Sequence, residues 1–193
     1  MNTYFTSDTH FFHNNIITYS KRPYKDIQDM HDQLIYNWNN VVGSNDLVYH
    51  LGDFFITGDL LLIDNVLEQL NGRIRLIKGN HDRWIKGIKR LKHASKIEWI
   101  KDYHEENGYI GTIKTKTVLI HYPMRAWNKS HYGSIQLHGH CHGNIDQENR
   151  NLKRMDVGVD SEYGQYAPIP LDYILDELLN RKETNHHPEQ FEP

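Results

Sequence analysis

Cysteine is nearly missing from these 193 residues: Cys141 stands alone, which excludes a disulfide framework and a cysteine zinc cage. No apolar stretch approaches membrane-spanning length, and Met1 to His10 lacks the basic and apolar regions of a signal peptide. A formal net charge of only −3 gives no global attraction to nucleic acid or anionic membrane, so any polyanion needs a local patch. There is no internal repeat, flexible linker or low-complexity tract, and no nucleophilic Ser or Cys elbow is evident. These absences leave a cytoplasmic protein with one domain over residues 1–180, followed by a polar tail over 181–193 expected to be flexible. No protein partner is evident.

Histidine is what the chain has in excess, with 14 residues. Many fall in five short motifs: Asp8-Thr9-His10, Gly52-Asp53, Gly79-Asn80-His81-Asp82, His121, and Gly139-His140-Cys141-His142. Each follows an apolar, β-branched run: Thr3 to Ser7, Leu47 to Leu51, Arg73 to Lys78, Thr117 to Ile120, and Ser134 to Leu137. Polar ligands at the ends of successive buried strands converge on one rim of a sheet, where open α/β folds bind ligands. The pattern therefore signals a metal site. Two residues apart on an extended backbone, Asp8 and His10 should leave the same face, and His140 and His142 likewise, with Cys141 pointing away.

Between the motifs the pattern reads as alternating strands and helices. Ile27, Met30, Leu34 and Trp38 step by three or four residues, as the inward stripe of an amphipathic helix. Leu60 to Leu70 reads as a second helix stopped by Asn71-Gly72, and about Arg83 to His93 as a third. Ile97 to Lys101, Tyr109 to Thr115, Thr117 to Tyr122, Ile135 to Leu137 and Lys153 to Val159 read as strands. A last helix, Leu171 to Leu179, follows the Pro168-Ile169-Pro170 break.

The order and spacing of the five blocks resemble the calcineurin-like metallophosphoesterase family, whose pattern is D-x-H, G-D, G-N-H-[DE], H, then G-H-x-H. His13-Asn14-Asn15-Ile16-Ile17, Arg22-Pro23 and Val157-Gly158-Val159-Asp160 look like its small, uncapped bacterial and viral members. The resemblance implies an α/β fold, a four-layer αββα sandwich of two mixed β-sheets flanked by helices, with metals at one sheet edge. It implies two divalent transition-metal ions: Asp8, His10 and His142 on the first, Asn80, His121 and His140 on the second, and Asp53 bridging both. Mixed imidazole, amide and carboxylate donors suit Mn, Fe, Zn or Ni, with Mn favoured, over Ca or Mg. A hydroxide bridging two such cations would be the nucleophile in a phosphoester hydrolysis.

The resemblance also assigns His81 to the leaving oxygen, with Asp82 holding its ring; Asp82 reads equally as the cap of the helix that follows. His13, Asn14, Arg22 and Arg125 lie on loops after motif strands and are candidate substrate contacts, with a surface salt bridge as the alternative for the two arginines. His50 and His138 read as satisfied core histidines, or as supports for a metal ligand. His31-Asp32 mimics an HD-hydrolase dyad but sits inside an amphipathic helix, so a solvated helix face is expected. His186 and His187 read as solvated tail residues. Arg83 to Lys96 carries six cations beside the Asn80-His81 motif, either a solvated face or a steering surface for a nucleotide or oligonucleotide. The expected function is a metal-dependent phosphoesterase that favours phosphodiesters. A phosphomonoesterase or protein phosphatase is the alternative, and a metal-free scaffold of the same fold is the non-enzymatic one.

Overall fold

A computed structural model of the chain describes residues 1–110, 113–179 and 181. Two mixed sheets face each other. The first is ordered β4-β3-β2-β1-β9 and is built from β1 (Thr3–Thr6), β2 (Leu47–His50), β3 (Arg73–Ile77), β4 (Ile97–Lys101) and β9 (Ile169–Pro170). Strands β1 to β4 run parallel and β9 pairs antiparallel with β1. The second is ordered β5-β6-β7-β8, from β5 (Tyr103–Ile110), β6 (Ile113–Ile120), β7 (Ile135–His138) and β8 (Arg154–Asp156). Its hairpin β5-β6 is antiparallel and the rest is parallel.

Strand alternation sorts the core into two layers. Tyr4, Val48, Ile74 and Leu76 turn to one side of the first sheet and pack under α2 (Ile27–Val41) and α3 (Leu60–Gln69), which supply Met30, Leu34, Trp38, Ile63 and Leu67. Phe5, Leu47, Tyr49 and Ile77 turn to the other side and meet Leu119, Ile135, Leu137 and Met155 of the second sheet. The last helix, α5 (Leu171–Leu179), closes the same layer with Ile174, Leu175 and Leu178. The outer cover of the second sheet is slighter: α4 (Asp146–Asn149) packs on β8, where Asn149 takes a hydrogen bond from Arg154 at 2.6 Å. The remaining helix, α1 (Ile16–Tyr19), is a single turn in the loop after β1.

The structure corrects the sequence reading of several elements. Arg83–Arg90 is a 3₁₀ helix rather than an α-helix. The strand expected over Tyr109 to Thr115 is split between the ends of β5 and β6, and residues 111 and 112 lie outside the described residues. The start of β5 was hidden by its charges, which serve an edge strand: Glu105 pairs with Lys116, and Glu106 accepts from Tyr49. His31 is no solvated residue. It is buried, and its Nε2 accepts the backbone N–H of Phe12 at 2.9 Å. The tail expected to be flexible lies outside the described residues apart from Arg181, as do His186 and His187. Arg181 itself is docked, donating to Asn149 and Arg154 carbonyls at 3.0 and 3.2 Å.

Candidate metal centre

The C-terminal ends of β1, β2, β3, β6 and β7 lie along one edge, and their following loops carry the five motifs. Parallel pairing in both sheets fixes this, because parallel strands present their ends at the same rim. The loops then turn sharply. Asp8, His10, Asp53, His140 and His142 all have left-handed backbones, with φ of 56°, 51°, 55°, 70° and 48°. The extended backbone expected for the Asp8-His10 and His140-His142 pairs is therefore wrong; turns, and no strand alternation, bring these side chains together. Asp and His tolerate this region better than most residues, yet each such position costs on the order of 1–3 kcal/mol and persists only where surroundings enforce it. Gly139 shows how tight those surroundings are. A Cβ there would lie 2.0 Å from Ser7 Oγ and 2.3 Å from Asp8 Oδ2.

Two clusters result. Asp8, His10 and His142 form one and Asp53, His121 and His140 the other, each with its donor atoms within 4.8 Å of one another. Asp53 lies between them: its Oδ2 is 3.6 Å from His10 Nε2 and 3.5 Å from His121 Nε2. The Asn80 amide oxygen is 3.1 Å from His121 Nε2, alongside the second cluster. Asp8 Oδ1 and His10 Nε2 are buried, 3.8 Å apart, and have no hydrogen-bond partner. Orphaned buried acceptors are costly, and a cation is what an unpartnered carboxylate and imidazole share. The residues fit a pair of divalent metal ions.

The rings are held so that Nε2 faces inward. His121 donates Nδ1–H to the Leu51 carbonyl at 2.7 Å, and His142 donates Nδ1–H to Asp160 Oδ2 at 2.6 Å. His10 Nδ1 and His13 Nδ1 are 3.2 Å apart, which fits a proton on His10 Nδ1 and leaves Nε2 bare. Burial pushes the His10 imidazolium down to about 2, so the ring is neutral. Burial also raises the Asp8 carboxyl to about 7. It works against ionisation of Asp53 as well, but the His121 contact and the His81 backbone N–H outweigh it and hold that carboxyl at about 2. The Cys141 thiol is pushed by burial up to about 11, which keeps it protonated.

His81 stands at the rim with its side chain 48% exposed, and its Nε2 lies 4.0 Å from Asp53 Oδ2. Its backbone N–H is fixed on Asp53 Oδ1 at 2.8 Å. Asp82 does not hold the ring. It accepts the backbone N–H groups of Asp53, Phe54 and Gly79 and the indole N–H of Trp84, all within 2.9 Å, and so ties the β2 and β3 loops together. Nor does its side chain cap the 3₁₀ helix. Arg22 is buried, against both readings given to it: it donates to Asp160 at 2.7 and 2.8 Å and to the carbonyls of Asp8 and Thr9. Arg125 and Asn14 are exposed. His50 and His138 are buried and bonded, to Thr9 at 3.1 Å and to the Gly139 carbonyl at 2.8 Å.

Asp160 is the functional residue that motif reading left without a role. Its signal was present, as the polar residue closing Val157-Gly158-Val159-Asp160. Asp156 is a second one: it is fully buried and accepts from Gly143 and Gly158 at 3.1 and 2.8 Å, bracing the loop that carries His142.

The calcineurin-like phosphoesterase family model matches residues 1–190 of this sequence. An uncharacterized protein of Methanocaldococcus jannaschii is 39% identical over 175 residues, covering 89% of this chain and 88% of its own. The gene 66 protein of Mycobacterium phage D29 is 30% identical over 198 residues, covering 93% of this chain and 96% of its own. Among solved structures, a protein of unknown function from Aquifex aeolicus superposes with a TM-score of 0.67 at 24% identity, over 91% of this chain and 98% of that one. That last likeness is one of fold. No helix among the described residues is long and apolar enough to cross a membrane.

Proposed function

The chain belongs to the calcineurin-like phosphoesterase family, and from that premise we propose that it hydrolyses phosphodiesters at a centre of two divalent transition-metal ions. The observation that carries the reading is Asp53. One carboxylate oxygen within 3.6 Å of histidines from both clusters would let Asp53 serve two ions at once. Asp8, His10 and His142 would hold the first ion and Asn80, His121 and His140 the second, with Asp53 shared. Imidazole, amide and carboxylate donors without thiolate suit Mn, Fe, Zn or Ni better than Ca or Mg, and Mn is the ion to be tried first. When bound, the pair supplies an activated water near neutral pH and offsets charge on the nonbridging phosphate oxygens.

The chain's own groups complete the reaction. Water adds to phosphorus, the P–O bond to the leaving group breaks, and that oxygen needs a proton. His81 is half exposed and tethered through its backbone to Asp53, which supports the reading that it gives that proton from Nε2. His13, 3.2 Å from His10, orients that ligand. The preference for diesters rests on the family pattern and on the lack of a long insertion that would cap the centre.

Catalytic efficiency on bis-p-nitrophenyl phosphate and p-nitrophenyl phosphate, with Mn, Fe, Zn or Ni restored to chelator-treated protein, tests this. We expect the diester to be favoured, about two metal ions per chain, and the largest loss among ligand-to-Ala variants in Asp53→Ala. Preference for the monoester would make the protein a phosphomonoesterase. Full activity in Asp53→Ala would overturn the two-metal centre.

A further inference from the structure

Beside the metal centre a cleft of about 500 Å³ opens, with His81 in its lining. Ile56, Leu60 and the buried Trp84 give it an apolar wall. Arg83, Lys86 and Arg90 line its other side. Among the described residues these three side chains, and Lys89 beside them, make no ion pair or side-chain hydrogen bond. Asp59, the acid on the neighbouring loop, is spent on the first amides of α3, accepting from Leu61 at 2.9 Å. A chain of net charge −3 thus keeps an unneutralised basic strip at the mouth of its hydrolytic site.

The backbone conformation sets the spacing of that strip. In a 3₁₀ helix residues three apart stand above one another, about 6 Å apart, so Arg83 and Lys86 stack in one row, and Arg90 lines the same cleft further along the helix. An α-helix would turn Lys86 away from Arg83 by about 60°. Gly87 permits the arrangement: a Cβ there would lie 2.9 Å from Leu60 Cδ2, so the 3₁₀ helix lies directly on the first turn of α3. Successive cations beside an apolar wall suit a repeating anion with apolar faces between its charges. Exposed rings stand at both metal clusters: Tyr19 lies edge-on to His13, and Tyr122 edge-on to His140 at 4.7 Å. Such rings offer stacking surfaces for bases. Asp53 is only 2% exposed, so the scissile phosphate must dip into the centre. A single strand can do this, whereas a stiff duplex pays bending energy.

We infer that this cleft is a subsite for single-stranded nucleic acid, in which Arg83, Lys86 and Arg90 hold the phosphates that follow the scissile diester. The inference rests on the phosphodiesterase reading for its substrate, but its test does not. Binding of a fluorescein-labelled, phosphorothioate-linked oligothymidylate to the metal-loaded protein is followed by anisotropy across a salt series, for the wild type and for Arg83→Gln/Lys86→Gln/Arg90→Gln. Each phosphate contact on a single strand contributes about 0.7 to the slope of log K against log salt. The triple variant should bind at least tenfold more weakly and lose about 2 from that slope. Its KM for a cleavable oligothymidylate should rise about tenfold, with efficiency on bis-p-nitrophenyl phosphate unchanged within about twofold.

Unchanged binding and slope in the variant would overturn the subsite. So would an equal loss on the small ester, or competition by polyglutamate as strong as by unlabelled oligothymidylate. Salt-dependent binding that the variant loses, in a protein that cleaves no diester, would sustain the cleft and sink the phosphodiesterase. Diester cleavage with unaltered binding would do the reverse.

Discussion

Oδ2 of Asp160 accepts the Nδ1–H of His142 at 2.6 Å and a guanidinium N–H of Arg22 at 2.7 Å. The carboxylate stands between a buried cation and a candidate metal ligand. Burial opposes its ionisation, but the His142 and Arg22 bonds hold it below the usual carboxylate range. An ionised partner on Nδ1 fixes the tautomer of His142 and raises the basicity of Nε2.

Replacing Asp160 should therefore be felt at the metal. Asp160→Asn is expected to weaken metal affinity by about 10–100-fold, the usual scale for the support of a ligand. Both variants should also lower stability, because each leaves Arg22 as a buried charge without its counterion, Asp160→Ala by about 3–5 kcal/mol and Asp160→Asn by less, since its amide oxygen can still accept from Arg22. Metal titration by calorimetry and urea unfolding of both variants check this. Full metal affinity in Asp160→Asn would show that His142 does not depend on the carboxylate.

That contact also marks where the sequence stops being readable. The fold was legible because its strands are short β-branched runs and because Met30, Leu34 and Trp38 recur at helical spacing. The two clusters were legible because family-like motifs name their members. Their geometry was not, since five of those residues sit in left-handed turns, and residue spacing cannot distinguish a turn from an extended strand. Asp82 was misread because an acid after Asn-His suggests a local partner, whereas its hydrogen bonds reach Asp53 and Phe54 on another loop. Arg22 and Asp160 are 138 residues apart, and nothing local in either segment announces the pair. The 3₁₀ helix at Arg83 was unreadable for a different reason. Its apolar residues fit an α-helix, and the close approach of Gly87 to Leu60 is a tertiary fact.

His81 should separate from the ligands around it by leaving-group dependence. A ribose or alkyl oxygen leaves with a high pKa and needs a proton, while p-nitrophenolate scarcely does. His81→Ala is expected to keep its metals and lose on the order of 10²–10⁴ in rate on an alkyl or nucleotide diester. The loss on a nitrophenyl diester should be distinctly smaller. Ratios of catalytic efficiency give the comparison. Equal losses on both would place the ring on the nonbridging oxygens instead, and loss of metal would make it a ligand.

Asp82 should behave in the opposite way. Truncation leaves buried amides of Asp53, Phe54 and Gly79 without an acceptor, at about 1–3 kcal/mol for each unsatisfied group, not simply additive. Asp82→Ala should therefore unfold at markedly lower urea and lose activity by the same factor on good and poor leaving groups. A selective loss on the poor leaving group, at unaltered stability, would return Asp82 to the role of holding the His81 ring.

Removing the metals should expose a pH dependence that the loaded protein lacks. In the metal-free chain His121 is raised from 6.5 to about 9: burial opposes its charge, but Asp53 and Asp8 outweigh it. Burial raises Asp8 from 3.8 to about 7. A group whose folded pKa is raised binds its proton more tightly in the folded state, so its stabilisation is lost as pH climbs through the folded value. Stability should thus fall between pH 6.5 and 9 for His121, with Asp8 contributing up to about 7. Burial acts in the other direction on His10, His50 and His138, lowering them to about 2, 3 and 4. These three gain stability as pH rises toward 6.5 and outnumber Asp8 there, so the metal-free protein should be most stable near neutrality. Metal binding demands a neutral His121 and an ionised Asp8, so the loaded protein should not weaken between pH 6.5 and 9, and its affinity for metal should rise over that interval. Urea unfolding of chelator-treated and metal-loaded protein at pH 6.5, 7.5 and 9 reads both effects. A metal-free protein equally stable at all three would mean that His121 does not carry its proton beside Asp53.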